Sequence, residues 1–288
     1  MSTAEPRYCY RHPDRETGLS CSECGRPICA DCATFAPVGI RCPDHAGVRR
    51  GPATKLKPRP VRRAPGIALS SGSAPVTTAL VAINVLIYLI GASQGAGFNN
   101  PGGSLYGKLW LDAPDLHNGG WWRLVTTMFL HASILHIAFN MWALWVIGRL
   151  VEQYLGTVRY IGLYFVSGLA GSAGALVQTP GVTVGASGAI FGILGAMIIL
   201  EWQVTGRLAG QAMALAGINL AISIAIPGIS WGGHVGGLIG GILIMLGYAH
   251  WRDGRAKYGQ IGIPGILGLI AVAAASVALA YLRVRGQV

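Results

Sequence analysis

The chain has 288 residues, of which 52% are hydrophobic and only 11% charged, and it carries a formal net charge of +11. An ordinary soluble domain is about 25% charged, so a single soluble globular domain is excluded. From Leu116 onward the only acidic residues are Glu152, Glu201 and Asp253, and long apolar runs alternate with short polar breaks, the pattern of an all-α polytopic membrane protein.

The chain begins with a Cys/His-rich head, residues 1–48. All six cysteines lie there, in the pattern Cys9-x2-His12, Cys21-x2-Cys24, Cys29-x2-Cys32 and Cys42-x2-His45. The N-terminus has no apolar core of the signal-peptide kind, so the head is expected in the cytoplasm. There, paired cysteines hold metal more often than they form disulfides. Eight ligands make two tetrahedral zinc sites. Both would be saturated, which suits structure rather than zinc catalysis, and so small a module is expected to need its metal to fold. Spacing alone leaves the pairing of ligands open between sequential and interleaved.

The head resembles B-box-type zinc fingers. That resemblance implies a cross-brace, with Cys9, His12, Cys29 and Cys32 on one zinc and Cys21, Cys24, Cys42 and His45 on the other. It also implies a protein partner for the head; the alternative is a folding cap.

Residues 49–75 read as a linker with Arg49, Arg50, Lys55, Lys57, Arg59, Arg62 and Arg63, several prolines and no acids. It is either a solvated spacer or an electrostatic anchor on anionic lipid heads. Seven apolar spans follow, at 76–93, 126–149, 158–178, 185–202, 208–227, 232–250 and 262–282. Each is about 20 residues, as a ~30 Å hydrocarbon core requires. Between the first and second lies a long connection with Trp110, Trp121 and Trp122, residues suited to a membrane interface. The basic linker, Arg149, Arg159, Arg207, Arg252, Arg255 and Lys257 fall on one side, which the positive-inside rule makes cytoplasmic. Seven spans then leave the C-terminus outside, although Arg283 and Arg285 oppose that placement.

Polar groups within spans are costly and mark function. In HASILHIAFN, His136 and Asn140 are i, i+4 neighbours on one helical face, and His131 precedes them. Ser187 opens the fourth span in VGASGAIFG, and His234 lies in the sixth, in WGGHVGGLIGG. The second, fourth and sixth spans all run from outside to inside, so these residues share the outer half of the membrane. Gly188 and Gly192 on one helix, and Gly233, Gly237 and Gly241 on the other, permit close approach. Close approach is what a short serine needs to reach an imidazole, and Ser–His is the minimal activated nucleophile. With no acid at that depth, a dyad is the form on offer. Singly, each residue also reads as packing material or helix glue.

The membrane domain resembles the rhomboid intramembrane serine proteases. The resemblance rests on Trp122-Arg123, the HASILHIAFN segment, Gly185-Ala186-Ser187-Gly188 and His234 followed by Val235-Gly236-Gly237, in that order over residues 76–250. It implies a six-helix core, with residues 251–288 adding a cytoplasmic loop and a seventh helix. It also implies that Ser187 is the nucleophile and His234 the general base and then acid. His136, Asn140 and the Ser187 N–H would hold the oxyanion. Arg123 would pair with Glu152, and His131 would sit in a hydrogen-bond network beneath the first loop.

The expected function is therefore cleavage of transmembrane segments of single-pass proteins near the outer face, in the bilayer of a bacterial plasma membrane. Substrate segments would carry small or helix-breaking residues, and no cofactor or nucleic acid is expected. Two rivals are a catalytically silent relative that binds transmembrane clients, and a channel or transporter. The first typically lacks the Ser or the His, both present here; the second is expected to show internal repeats, and none is visible.

Overall fold

A computed structural model describes residues 6–36, 39–46, 73–178, 181–252, 255–257 and 262–286. The basic linker expected at 49–75 lies almost wholly outside these residues. The chain divides into two units, Met1–Gly66 and Ile67–Val288.

The first unit is built on short antiparallel pairs, β1 (Tyr8–Cys9) with β2 (His12–Glu16) and β3 (Thr34–Phe35) with β4 (Ile40–Arg41). Ile28, fully buried, packs with Cys9, Cys21, Cys29, Cys32 and Cys42. The interior of this unit is thus largely sulfur. With Ile28 the one buried aliphatic side chain of this cluster among the described residues, the unit has little apolar area to stabilise it.

The second unit is helical. Among the described residues six helices are long and apolar enough to cross a membrane: α1 (Pro75–Gln94), the composite Ile134–Leu155, α7 (Thr157–Gln178), α8 (Ser187–Thr205), α10 (Trp231–Tyr248) and α11 (Ile263–Arg285). The composite comprises α5 (Ile134–Ala143), a widened π turn at Leu144–Gly148, and α6 (Arg149–Leu155). The chain is a multi-pass membrane protein. After α10 a short antiparallel pair follows, β5 (His250–Arg252) with β6 (Arg255–Lys257).

Two of the expected spans differ. The fifth is α9 (Gln211–Ala225), only 15 residues long, about 22 Å at 1.5 Å per residue. Its start is set at Gly210, where Glu201 accepts from the N–H groups of Gln211 and Ala212 at 2.9 Å each. Its end precedes Pro227-Gly228, which cannot extend it. The second span begins at Ile134 rather than 126. Ser133 stops the helix there, its side chain accepting from His136 N–H. Residues 123–129 instead form α4 (Arg123–Thr126) and a 3-10 turn belonging to the long first loop.

That loop also contains α2 (Gly103–Leu109) and α3 (Ala113–His117). Tyr106 of α2, almost fully buried, fills the space left by Gly91 of α1, and its hydroxyl donates to the His131 carbonyl at 3.0 Å. Trp121 stacks on Tyr281 of α11, ring centroids 6.2 Å apart, and Arg283 Nε donates to Leu176 O at the end of α7. The last helix therefore finishes beside the first loop.

The core of this unit is a close-packed trio, α7, α8 and α10. Along α10, Gly232, Gly236 and Gly240 face α7, where added β-carbons would meet Gly174, Ala170 and Ser167. Gly237 and Gly241, one residue round, face α8, where they would collide with the carbonyl oxygens of Gly188 and Gly192. Two glycine stripes offset by one residue let a single helix seat against two backbones at once.

Candidate active site

Three helix starts converge. Ser187 is the first residue of α8, His136 the third of α5 and His234 the fourth of α10. The later start of the second span puts His136, like the other two, in the first turn of its helix. Gly188, one residue past the serine, lies against both Gly171 of α7 and the Gly233 carbonyl. Backbone contact between α8 and α10 is what carries a one-carbon side chain to the imidazole: Ser187 Oγ is 2.8 Å from His234 Nε2. His234 is buried and Ser187 half-buried.

The segment entering α8 is pinned from the loop side. Thr183 exchanges both backbone hydrogen bonds with Leu111, at 3.1 and 2.7 Å, and Thr127 Oγ1 donates to Thr183 O at 2.6 Å. Gly185 N–H donates to Thr127 O at 3.0 Å. Gly185 adopts φ +137°, a region closed to residues with a Cβ, and a Cβ there would lie 2.9 Å from His136 Nε2 and 3.6 Å from Ser187 Oγ. His136 Nε2 and Ser187 Oγ thus border the same small space, and only glycine leaves it open.

The His136 ring is oriented by the backbone. Its Nδ1 accepts from Ala132 N–H at 3.3 Å, so in the neutral ring Nε2 carries the proton and faces that space as a donor. One turn on, Asn140 is buried and its Nδ2 has no acceptor among the described residues. Donors of this kind suit an anion. The first N–H groups of α8 add to them, since helix-start N–H groups have no intrahelical acceptor.

Two contacts to His234 go beyond the expected set. Phe191, one turn past Ser187 on α8, stacks on the imidazole with centroids 4.2 Å apart and planes 13° from parallel. Its i, i+4 relation to Ser187 was the available signal. Ser223 of α9 has its Oγ 2.6 Å from His234 Nδ1. Nothing in the spacing marks it, because a serine in an apolar helix is ordinary packing.

The expected Arg123–Glu152 pair does not form. Arg123 bonds within the loop, to Trp110 O at 2.8 Å, Gly107 O at 3.0 Å and Asp115 Oδ2 at 2.9 Å. Trp122 Nε1 donates to Lys108 O beside it. Glu152 lies sixteen residues beyond His136 along α5 and α6, about 24 Å at helical rise, so it is remote from this cluster. There it accepts from Val76 N–H and Thr77 N–H at 3.0 and 2.8 Å, closing the start of α1. The loop tie at His131 also differs from expectation. It runs through the backbone to Tyr106, while both ring nitrogens are buried without partners among the described residues.

The two Cys/His groups of the head are assembled as the interleaved pairing has it: Cys9, His12, Cys29 and Cys32, and separately Cys21, Cys24, Cys42 and His45. In each group the four donor atoms lie within 4.8 Å of one another. Zn–S bonds of about 2.3 Å and Zn–N bonds of about 2.0 Å put tetrahedral donors roughly 3.5–3.8 Å apart. His12 Nδ1 lies 3.8, 3.5 and 3.4 Å from the sulfurs of Cys9, Cys29 and Cys32. In the other group Cys24 and Cys42 sulfurs are 3.9 Å apart, and His45 Nδ1 is 3.8 and 3.2 Å from Cys21 and Cys42. All six cysteines are free thiols. Burial raises the Cys9 and Cys21 thiols, but surrounding N–H donors outweigh it and bring each down to about 6, favouring the thiolate that binds metal. Both groups can hold a metal ion.

Residues 118–251 match the Rhomboid domain family. The chain is 31% identical to rhomboid protease GluP of Bacillus subtilis over 211 residues, 72% of this chain and 40% of that protein. It is 38% identical to RHOMBOID-like protein 1 of Arabidopsis thaliana over 136 residues, 45% of this chain and 35% of that one. With the rhomboid protein YdcA of Bacillus subtilis it shares 32% identity over 181 residues, 59% of this chain and 86% of that relative. The chain belongs to the rhomboid family. It spans less than half the length of GluP and of the Arabidopsis relative. The rhomboid match begins at Asn118, so it takes in Trp122, Arg123, His131, His136, Asn140, Ser187 and His234 and leaves the Cys/His head outside.

Proposed function

We propose that this rhomboid is an intramembrane serine endopeptidase in which Ser187 and His234 form the catalytic dyad. The observation that carries the reading is the 2.8 Å approach of Ser187 Oγ to His234 Nε2 beside inward-facing donors. Ser187 Oγ attacks the scissile carbonyl while His234 Nε2 takes its proton. The resulting oxyanion accepts from His136 Nε2–H, Asn140 Nδ2 and the Ser187 N–H. As the tetrahedral intermediate collapses, the imidazolium gives its proton to the leaving amine, and an acyl group remains on Ser187. Water, deprotonated by the same imidazole, then releases it. Because charge gathers on the carbonyl oxygen only in the transition state, loss of one donor such as Asn140 should lower the rate about 10²–10³-fold.

The substrates are transmembrane segments of other proteins. A helix hides its carbonyls, so a substrate must unwind locally to offer one to Ser187, which favours small and helix-breaking residues near the cut. The dyad lies in the outer half of a bacterial plasma membrane and the head in the cytoplasm, an orientation that the positive-inside distribution of Lys and Arg supports. The proposed partition is a head at 1–48, a basic linker at 49–75, the protease core at 76–250 and a terminal loop and helix at 251–288. Each Cys/His group of the head holds one structural zinc in a B-box-like cross-brace, and the head recruits a protein partner.

Cleavage of a single-pass reporter in proteoliposomes tests the reading. Ser187→Ala and His234→Ala should each abolish it while the variants remain folded. Full cleavage by either variant overturns the mechanism.

A further inference from the structure

The dyad has a third member on α9. Ser223 is almost fully buried in α9, and its Oγ lies 2.6 Å from Asn219 O and 2.6 Å from His234 Nδ1. A serine hydroxyl has one proton and two lone pairs. The Asn219 carbonyl can only accept, so that contact consumes the Ser223 proton. What remains for His234 is a lone pair, and a lone pair 2.6 Å from Nδ1 requires the proton on Nδ1. In a neutral imidazole Nε2 is then bare and accepts from Ser187 Oγ–H. With the tautomer reversed, Nε2 would carry a proton and could not take one from the nucleophile.

We infer that Ser223 is the positioning residue of the dyad: its hydroxyl, committed to the Asn219 carbonyl, holds His234 in the Nδ1–H tautomer that leaves Nε2 free to act as base. Three side chains fix the ring, with Phe191 on its face, Ser187 at Nε2 and Ser223 at Nδ1. The same Ser223 lone pair stabilises the Nδ1–H of the imidazolium once His234 has taken the Ser187 proton, and the i−4 carbonyl behind it polarises the hydroxyl further. In a serine protease triad a carboxylate does this. Among the described residues no carboxylate is bonded to the ring, and a neutral hydroxyl backed by a peptide carbonyl does it at membrane depth, without the cost of a buried charge.

This inference rests on the peptidase reading, and the experiment separates the two. Full-length protein with 15N-labelled histidine is examined by solid-state NMR, His234 being assigned by difference from His234→Ala. Cleavage kinetics of the transmembrane reporter are measured in the same liposomes. Wild type should show His234 protonated at Nδ1. Ser223→Ala should lose that dominance and lower kcat at least about 10-fold, within the ~10²–10⁴-fold a general base contributes, with KM unchanged. Ser223→Thr keeps the hydroxyl and should restore both. Ser223→Ala with wild-type tautomer and rate overturns the inference. So does an equal fall in Ser223→Thr and Ser223→Ala, which marks a packing role. A wild-type protein that cleaves nothing counts against the peptidase reading alone, since the nitrogen spectra still decide whether Ser223 sets the tautomer.

Discussion

Gly185 carries more constraint than any other single residue near the dyad. Its φ of +137° excludes a side chain on backbone grounds, and the space a Cβ would take lies between His136 Nε2 and Ser187 Oγ. Gly185→Ala should therefore cost about 1–3 kcal/mol of stability and also displace His136. Reporter cleavage is expected to fall further than the loss of folded protein explains, and cleavage normalised to folded fraction checks this. His136, Asn140, Ser187 and His234 were legible in the sequence because polar groups in apolar spans need a reason to be there. Ser223 was not, since its partner lies eleven residues away across a loop and hydroxyls in helices usually satisfy themselves on the i−4 carbonyl. Arg123 and Glu152 entered only as a pair implied by the family resemblance, and each has a different partner. Sequence proximity to the site says nothing about which end of a helix a carboxylate serves.

Among the elements, α10 is the most constrained. Its two glycine stripes were visible as small-residue ladders, but not that they serve two different helices, because spacing reports a face and not its partner. Gly237→Ala and Gly241→Ala each drive a β-carbon into a backbone carbonyl of α8, which cannot yield as a flexible side chain would. Each should destabilise the membrane domain by about 1–3 kcal/mol or more and separate Ser187 from His234. Gly217, in α9, has nothing within 4 Å of its Cβ position. Gly217→Ala should be neutral or stabilising by up to about 1 kcal/mol, and thermal unfolding in detergent ranks the three. The scarce acids are used at helix starts: Glu152 closes α1 and Glu201 closes α9. Glu201→Ala should cost about 1 kcal/mol, the scale of a lost N-cap. By loosening the helix that carries Ser223 it should also lower cleavage; unaltered melting would contradict the capping account. The expected span of 208–227 overran α9 at both ends because the apolar run includes Leu208-Ala209 before the start at Gly210 and Ile226-Pro227 after Ala225.

At the scale of the whole molecule, two units follow different rules. The head has a thiol interior with two Cys/His groups that can hold metal, whereas the membrane domain is built on backbone contact between helices. Elemental analysis of the purified chain should find about two zinc ions per protein. Cys29→Ser, which removes a ligand from one group only, should lower this toward about one. A ratio unchanged by Cys29→Ser would contradict separate sites. A strong chelator should unfold the head while the helical signal of the membrane domain persists. The central claim concerns Ser187 as a nucleophile, and covalent trapping tests it most directly. Full-length protein treated with a fluorophosphonate and mapped by mass spectrometry should carry one adduct, on Ser187, lost in His234→Ala although that variant keeps the serine. An adduct on another serine, or labelling of Ser187 that survives His234→Ala undiminished, would contradict the account.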